Sequence, residues 1–212
     1  MYTLYYAPGA ASLAVHWMLI ELGAPFSLVK IDIDAKEHKG AAYLKINPRG
    51  QIPALVIDGK PHAETAALLL LLAERHPEKH LAPAPGEAGR ADFLQTLFYF
   101  ANTLQPAFRL WFYPEDGAGA AHVEAVKAQA RAVIEAAWDR LDSLLADGRP
   151  FVVGNRLSAA DFLGTMLTRW SRNMPRPAQN WPHIGAYMAR MKALPSLREV
   201  HAREGLTDWI GQ

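Results

Sequence analysis

A small α/β domain followed by an all-α domain is the fold class this sequence predicts. Three observations carry that expectation. The first 33 residues read as strand, helix, strand; Asp58-Gly59 separates two short runs of strand character; and beyond a Pro- and Gly-rich stretch at 81–89 only helical periodicity remains.

Tyr2 to Tyr6 is short, aromatic and apolar, as a buried strand is. The chain turns at Pro8-Gly9, and from Ser12 to Leu22 the residues Leu13, Val15, Leu19, Ile20 and Leu22 recur at helical spacing until Gly23 ends the run. Phe26 to Ile33 alternates, with Ser27, Lys30 and Asp32 polar, and makes a second strand. A strand, helix and strand in succession imply a parallel pair. Ala54 to Ile57 and Lys60 to Ala63 form a hairpin across Asp58-Gly59, and Glu64-Thr65 then opens an apolar helix. No helix interior tolerates the Pro and Gly density of LAPAPGEAG. Residues 1–80 are therefore expected as one domain, 81–89 as a linker and 90–212 as the helical domain. Its expected helices are Arg90 to about Leu104, Val123 to about Ala146, Ser158 to about Arg172, Ile184 to Ala193 and Leu197 to about Arg203.

Lys and Arg total 22 against 21 Asp and Glu, so the net charge of +1 gives no electrostatic reason to expect nucleic acid or an anionic membrane as partner. With no Cys, the chain supplies no disulfide, thiolate nucleophile or Cys-bound zinc. Any thiol chemistry must use a sulfur brought by another molecule. His76 and His80 flank Pro77, which breaks the helix that an i, i+4 metal pair needs, so no metal site is expected. The longest aliphatic run, Leu68 to Ala73, falls far short of the roughly 20 residues that span a bilayer. A cytoplasmic location is expected.

Several helix starts offer chemistry. Ser158 and Asp161 fit an Asp variant of the capping box, with Leu157 and Phe162 where a hydrophobic staple falls, and their expected role is structural. Glu64-Thr65 sets free N–H groups, a hydroxyl and a carboxylate in one place. That suits either a helix cap or a ligand bearing a carboxylate beside an ammonium group. Ser12, near the amides of Ala10 and Ala11, either caps its helix or belongs to an anion site at the positive helix end. Pro53 lies immediately before a strand, where the chain leaves the ladder or bends.

Taken together these residues resemble the cytosolic glutathione S-transferases, most closely their bacterial beta-class members. The similarity spans essentially the whole chain. It is carried by NPRGQIPAL followed by ET, by YYAPGAASLA at the start and by SAADF in the helical part. The resemblance implies a thioredoxin-like N-terminal domain, an all-α C-terminal domain, a cis Pro53, a homodimer, and glutathione as co-substrate. It implies that the Ile52 backbone pairs with the cysteinyl part of glutathione and that Glu64 and Thr65 hold the γ-glutamyl end. Lys36 and Gln51 match positions that help hold the tripeptide, His38 is their neighbour, and Tyr99 and Asn102 would reach the tripeptide held by a second subunit. Many beta-class members carry Cys where Ala11 stands, so mixed-disulfide chemistry is not expected here.

The implied activity is that of a detoxifying transferase whose glutathione thiolate attacks a small hydrophobic electrophile. A thiol of pKa near 8.5 is only a few per cent ionised at pH 7, and lowering that value by about two units takes roughly 2.7 kcal/mol. Ser12 and Tyr6 are the expected hydroxyl donors to the sulfur. A hydrogen bond to a charged group contributes about 1.5–3 kcal/mol and a helix end about 0.3–1 kcal/mol. Phe100, Phe108, Trp111, Phe112 and Tyr113 fit either a pocket toward the helical domain for the second substrate or an interhelical core. The alternative function is a non-catalytic glutathione-binding or protein-interaction module of the same fold.

Overall fold

The computed structural model describes residues 1–211. They form two compact units, Met1–Ala84 together with the segment from Lys192 onward, and Pro85–Met191.

In the first unit, strands β1 (Tyr2–Tyr6), β2 (Phe26–Lys30), β3 (Ala54–Ile57) and β4 (Lys60–Ala63) make one sheet in the order β2-β1-β3-β4. β1 and β2 run parallel, as their helical connection requires, and the other two pairings are antiparallel. β2 ends at Lys30 rather than at Ile33. The register decides where a site can form. Tyr5 pairs with Ala54, Ala54 with Ala63, and Tyr6 with Lys30. The loop after Tyr6, the chain entering β3 at Pro53, and Glu64 leaving β4 therefore emerge at the same end of the sheet, on strands about 4.8 Å apart.

Helix α1 (Ser12–Leu22) is apolar on nearly every face, with Leu13, Ala14, Val15, Trp17, Met18 and Leu19 all buried. A helix of that kind needs cover on all sides. β1, α3 (Thr65–Arg75) and α10 (Pro195–Glu204) supply it, and Trp17 Nε1 donates to Ser196 Oγ of α10 at 2.8 Å. A short helix, α2 (Ala41–Leu44), lies between β2 and β3, and its four residues are too few to show periodicity in the sequence.

The second unit is helical: α4 (Arg90–Tyr99), α5 (Gln105–Phe112), α6 (Glu115–Ala118), α7 (Val123–Leu145), α8 (Ala159–Trp170) and most of α9 (Pro182–Ala193), which runs past the division after Met191. The helix expected to stop near Leu104 instead continues through a π-helical turn, Phe100–Leu104, into α5. Pro106 has no N–H to donate, and the helix runs past it because a π-helical turn immediately precedes it. Phe93, Leu97, Phe100 and Phe108 are buried, as are Ile134, Trp138 and Leu141 of α7. Gly164 of α8 lets the Phe100 ring approach, since a Cβ there would lie 2.8 Å from Phe100 Cε2. The capping box at the start of α8 is present, with Asp161 Oδ2 accepting from Ser158 N–H at 2.8 Å. Among the described residues no helix is long and apolar enough to cross a membrane.

Candidate active site

Tyr6 ends β1, and its phenol is pushed above the ordinary 10.0, first by burial and then by the negative charge of Glu204. Its ring meets the ring of His16 edge-on at 5.6 Å. The chain next turns tightly, Ala10 N–H donating to Ala7 C=O at 3.1 Å, with Gly9 at φ +68° where a side chain is disfavoured. Gly9 N–H donates to Glu204 Oε2 at 2.8 Å, and Glu204 Oε1 meets His16 Nδ1 at 2.7 Å. Both of these side chains are wholly buried. A carboxylate on α10 thus ties the loop at residues 7–11 to α1.

Ser12, expected as a donor to the sulfur, is used inside the loop. Its Oγ accepts from Ala7 N–H at 3.2 Å and donates to Ala7 C=O at 3.0 Å, in a residue with no exposed surface. A hydroxyl has one proton, and this one is committed to Ala7. In this structure the Ser12 hydroxyl serves Ala7 rather than a ligand. Ala11 occupies the N-cap position of α1. The N–H groups of Ala11 and Ser12 have no acceptor among the described residues, and they stand at the positive end of the helix.

Beyond β2, Lys36 is exposed at φ +58° and His38 is half-buried. Lys39 Nζ donates to Gly50 C=O at 2.8 Å, bringing this segment onto the loop before β3. Gly50 has φ +57°, and a Cβ there would sit 2.7 Å from His38 C=O, so the approach requires glycine. Gln51 is exposed, while its carbonyl accepts from Tyr43 Oη at 2.7 Å and from Asn47 Nδ2 at 2.6 Å. The Ile52–Pro53 bond is cis, as the resemblance implies.

Glu64 precedes α3 with φ +70° and ψ 105°, a conformation that costs a non-glycine residue about 1–3 kcal/mol. Its side chain makes no cap hydrogen bond, so of the two roles open to it helix capping is not the one observed. Its exposed carboxylate meets Arg49 Nη1 at 2.6 Å. Thr65 is buried, and the N–H groups of Thr65 and Ala66 have no acceptor among the described residues.

The remaining expected residues belong to the second unit. Tyr99 ends α4 beneath the Arg140 guanidinium at 4.8 Å, and Asn102 is exposed on the π-helical turn. Phe108, expected to line a pocket, has no exposed surface and packs among Phe112, Trp138 and Trp170, so it is core. Phe112 is 46% exposed, stacked on Phe108 and edge-on to Trp170. Trp111 is half-buried under Lys127 Nζ, 5.7 Å from its ring. Sequence reasoning missed Tyr43, Asn47, Arg49 and Glu204. Only Asn47 and Arg49 carried a signal, through their place inside NPRGQIPAL.

Residues 10–75 match the family model for the N-terminal domain of glutathione S-transferases, and residues 124–210 the model for the C-terminal domain. Glutathione S-transferase GstA of Escherichia coli O157:H7 is 33% identical over 206 residues, covering 96% of this chain and 98% of that protein. A glutathione transferase homolog from Sulfitobacter, solved with bound glutathione, superposes with a TM-score of 0.88 at 30% identity, covering 98% of this chain and 99% of that one. A bacterial beta-class glutathione S-transferase from Sphingomonas chungbukensis gives 0.84 at 30% identity, covering 97% and 100%. With a likeness in sequence and fold that runs nearly end to end, the chain belongs to the glutathione S-transferase family, beside its bacterial beta-class members.

Proposed function

We propose that this transferase ionises the thiol of glutathione with the N–H groups of Ala11 and Ser12, assisted by the Tyr6 hydroxyl, for attack on an electrophilic carbon of a small hydrophobic compound. One observation carries it: two unsatisfied donors stand at the positive end of α1, on the same end of the sheet as Pro53 and Glu64. Each hydrogen bond from such a donor to a charged sulfur contributes about 1.5–3 kcal/mol, and the helix end about 0.3–1 kcal/mol. Their sum exceeds the roughly 2.7 kcal/mol that a two-unit drop in thiol pKa takes. No cysteine or side-chain hydroxyl at residues 11–12 is needed. Tyr6, held neutral by its raised pKa, adds a phenolic donor.

The chain also holds a partner for each group of the tripeptide. The Glu64 carboxylate suits the γ-glutamyl ammonium, and the N–H groups of Thr65 and Ala66 suit the adjoining carboxylate. The Ile52 backbone suits the cysteinyl amide, and Lys36 and Gln51, with His38 beside them, suit the glycine end. Arg49 occupies Glu64 through an exposed ion pair, which is worth about 0–1 kcal/mol, so giving it up to a ligand costs little. A second copy of the chain would cover Phe98, 46% exposed on α4, and would meet Tyr99 and Asn102. A cytoplasmic location goes with the use of a reduced thiol.

Ultraviolet difference spectra of the protein titrated with glutathione across pH test binding and ionisation together. The bound thiol is expected to ionise about two units below its free value near 8.5. A thiol that titrates unshifted when bound would refute the activation.

A further inference from the structure

We propose that Tyr43 and Asn47 are positioning residues for glutathione: by holding the Gln51 carbonyl they aim the Ile52 N–H at the cysteinyl part of the tripeptide. The inference rests on the binding mode set out above and adds the device that fixes its central contact.

A trans peptide unit is planar, with its C=O and N–H pointing in opposite directions. Whatever fixes the Gln51 carbonyl therefore fixes the Ile52 N–H. The carbonyl accepts from Tyr43 Oη at 2.7 Å and Asn47 Nδ2 at 2.6 Å, using both of its lone pairs on side chains that are 3% and 5% exposed. Rotating this peptide unit would break both bonds at once. On its far side, the Ile52 N–H has no acceptor among the described residues and is free for a ligand.

Each donor is itself held. Tyr43 is buried with Ile31 and Ala54, and its ring meets that of Tyr5 edge-on at 5.9 Å. Burial pushes its phenol up to about 12, so it remains a protonated donor across the working pH range. The Asn47 amide is oriented by its Oδ1, which accepts from Arg49 N–H at 3.2 Å. The Asn47 backbone closes the ring, donating to Tyr43 C=O at 2.9 Å and accepting from Gly50 N–H at 2.8 Å. A single bond would satisfy the carbonyl; two bonds fix its direction.

The test measures glutathione affinity by calorimetry, and steady-state kinetics against both substrates, for the full chain and for Tyr43→Phe, Asn47→Ala and Asn47→Asp. Tyr43→Phe keeps the ring and removes one donor. It is expected to raise glutathione Kd and KM roughly threefold to tenfold, leaving the electrophile KM and kcat within about twofold. Asn47→Asp sets a carboxylate against the carbonyl and is expected to raise both glutathione values further. Failure of the unmutated chain to bind glutathione overturns the binding mode itself. Normal binding by that chain, with folded Tyr43→Phe and Asn47→Ala variants that bind equally well, overturns the positioning role alone. Equal losses in glutathione KM, electrophile KM and kcat also overturn it, since they report general loosening. Should the Asn47 variants not fold, Tyr43→Phe decides.

Discussion

Asp161 in the second unit and Glu204 in the first are both buried carboxylates that accept backbone N–H groups, yet they gather their donors from very different distances along the chain. Asp161 accepts from Ser158 N–H and Oγ at 2.8 and 2.9 Å, from Val152 N–H at 2.9 Å and from the Tyr187 hydroxyl at 3.2 Å. Most of that set lies within nine residues of it. Glu204 reaches Gly9 across 195 positions and His16 across 188. The short-range carboxylate fixes the start of one helix. The long-range one fixes a loop on which the proposed chemistry depends. One kind of interaction thus serves folding in one unit and site geometry in the other, and the two roles separate experimentally.

Asp161→Ala carries the largest expected effect. It strands two buried N–H groups and the Ser158 hydroxyl, while the Tyr187 hydroxyl keeps Thr165 Oγ1 and the residue 161 carbonyl, a loss of about 3 kcal/mol. Thermal denaturation should show a midpoint lower by roughly 6–12 °C, while kcat per folded molecule is retained. The comparison breaks if kcat falls as well. The same residue gives a pH signature, because burial raises its carboxyl to about 6 against the pull of its four donors. A group raised in the folded state contributes its stability below the unfolded value, here 3.8, and loses it as pH climbs through the folded one. Melting measured from pH 4 to pH 7 should therefore show a downward slope up to about pH 6, and Asp161→Asn should flatten it.

Glu204→Ala should divide its effect. His16 Nδ1 and Gly9 N–H lose their acceptor, costing about 2 kcal/mol of stability. Loosening of the loop at residues 7–11 should also lower kcat/KM for glutathione by about tenfold, or roughly 1.4 kcal/mol. Glu204→Gln retains an acceptor and should recover most of the stability. It should also bring the Tyr6 phenol closer to its ordinary value, because the negative charge that raises it is gone. Tyrosinate absorbance against pH, compared with a Tyr6→Phe background, reads that shift. A Glu204→Ala variant that melts lower with unchanged kcat/KM would make the two carboxylates alike.

What the sequence revealed follows the same division. The β hairpin, α1 with its Gly23 terminus and the capping box at Ser158 and Asp161 were legible because each is written in residues a few positions apart. The continuation of α4 into α5 was not, since Pro106 reads as a breaker unless a π-helical turn precedes it. Of the site, Glu64, Thr65 and Pro53 stood out as a helix start and a proline before a strand. Glu204 and His16 gave no sign of each other, because nothing local couples residues so far apart. Tyr43 lay in a segment too short for periodicity, and its hydroxyl matters only for the carbonyl it meets eight residues on.

Ser12→Ala is the smallest and sharpest of the changes. As a hydroxyl, Ser12 was the natural candidate to activate a thiol; as placed, it closes the loop on Ala7. Removing it leaves the Ala7 N–H unpaired, while Ala7 C=O keeps its bond from Ala10 N–H, for about 1–2 kcal/mol of stability. A brace and an activator differ in the pH profile. Loss of a brace lowers the melting point and leaves the pKa of kcat/KM where it was, because the Ala11 and Ser12 N–H groups remain. Loss of an activator moves that pKa upward by about a unit, since a hydrogen bond to thiolate worth about 1.5 kcal/mol corresponds to that shift. The structure predicts the first result. An upward shift would mean that the Ser12 hydroxyl turns from Ala7 to the sulfur when glutathione binds, leaving Ala7 to be satisfied by another group.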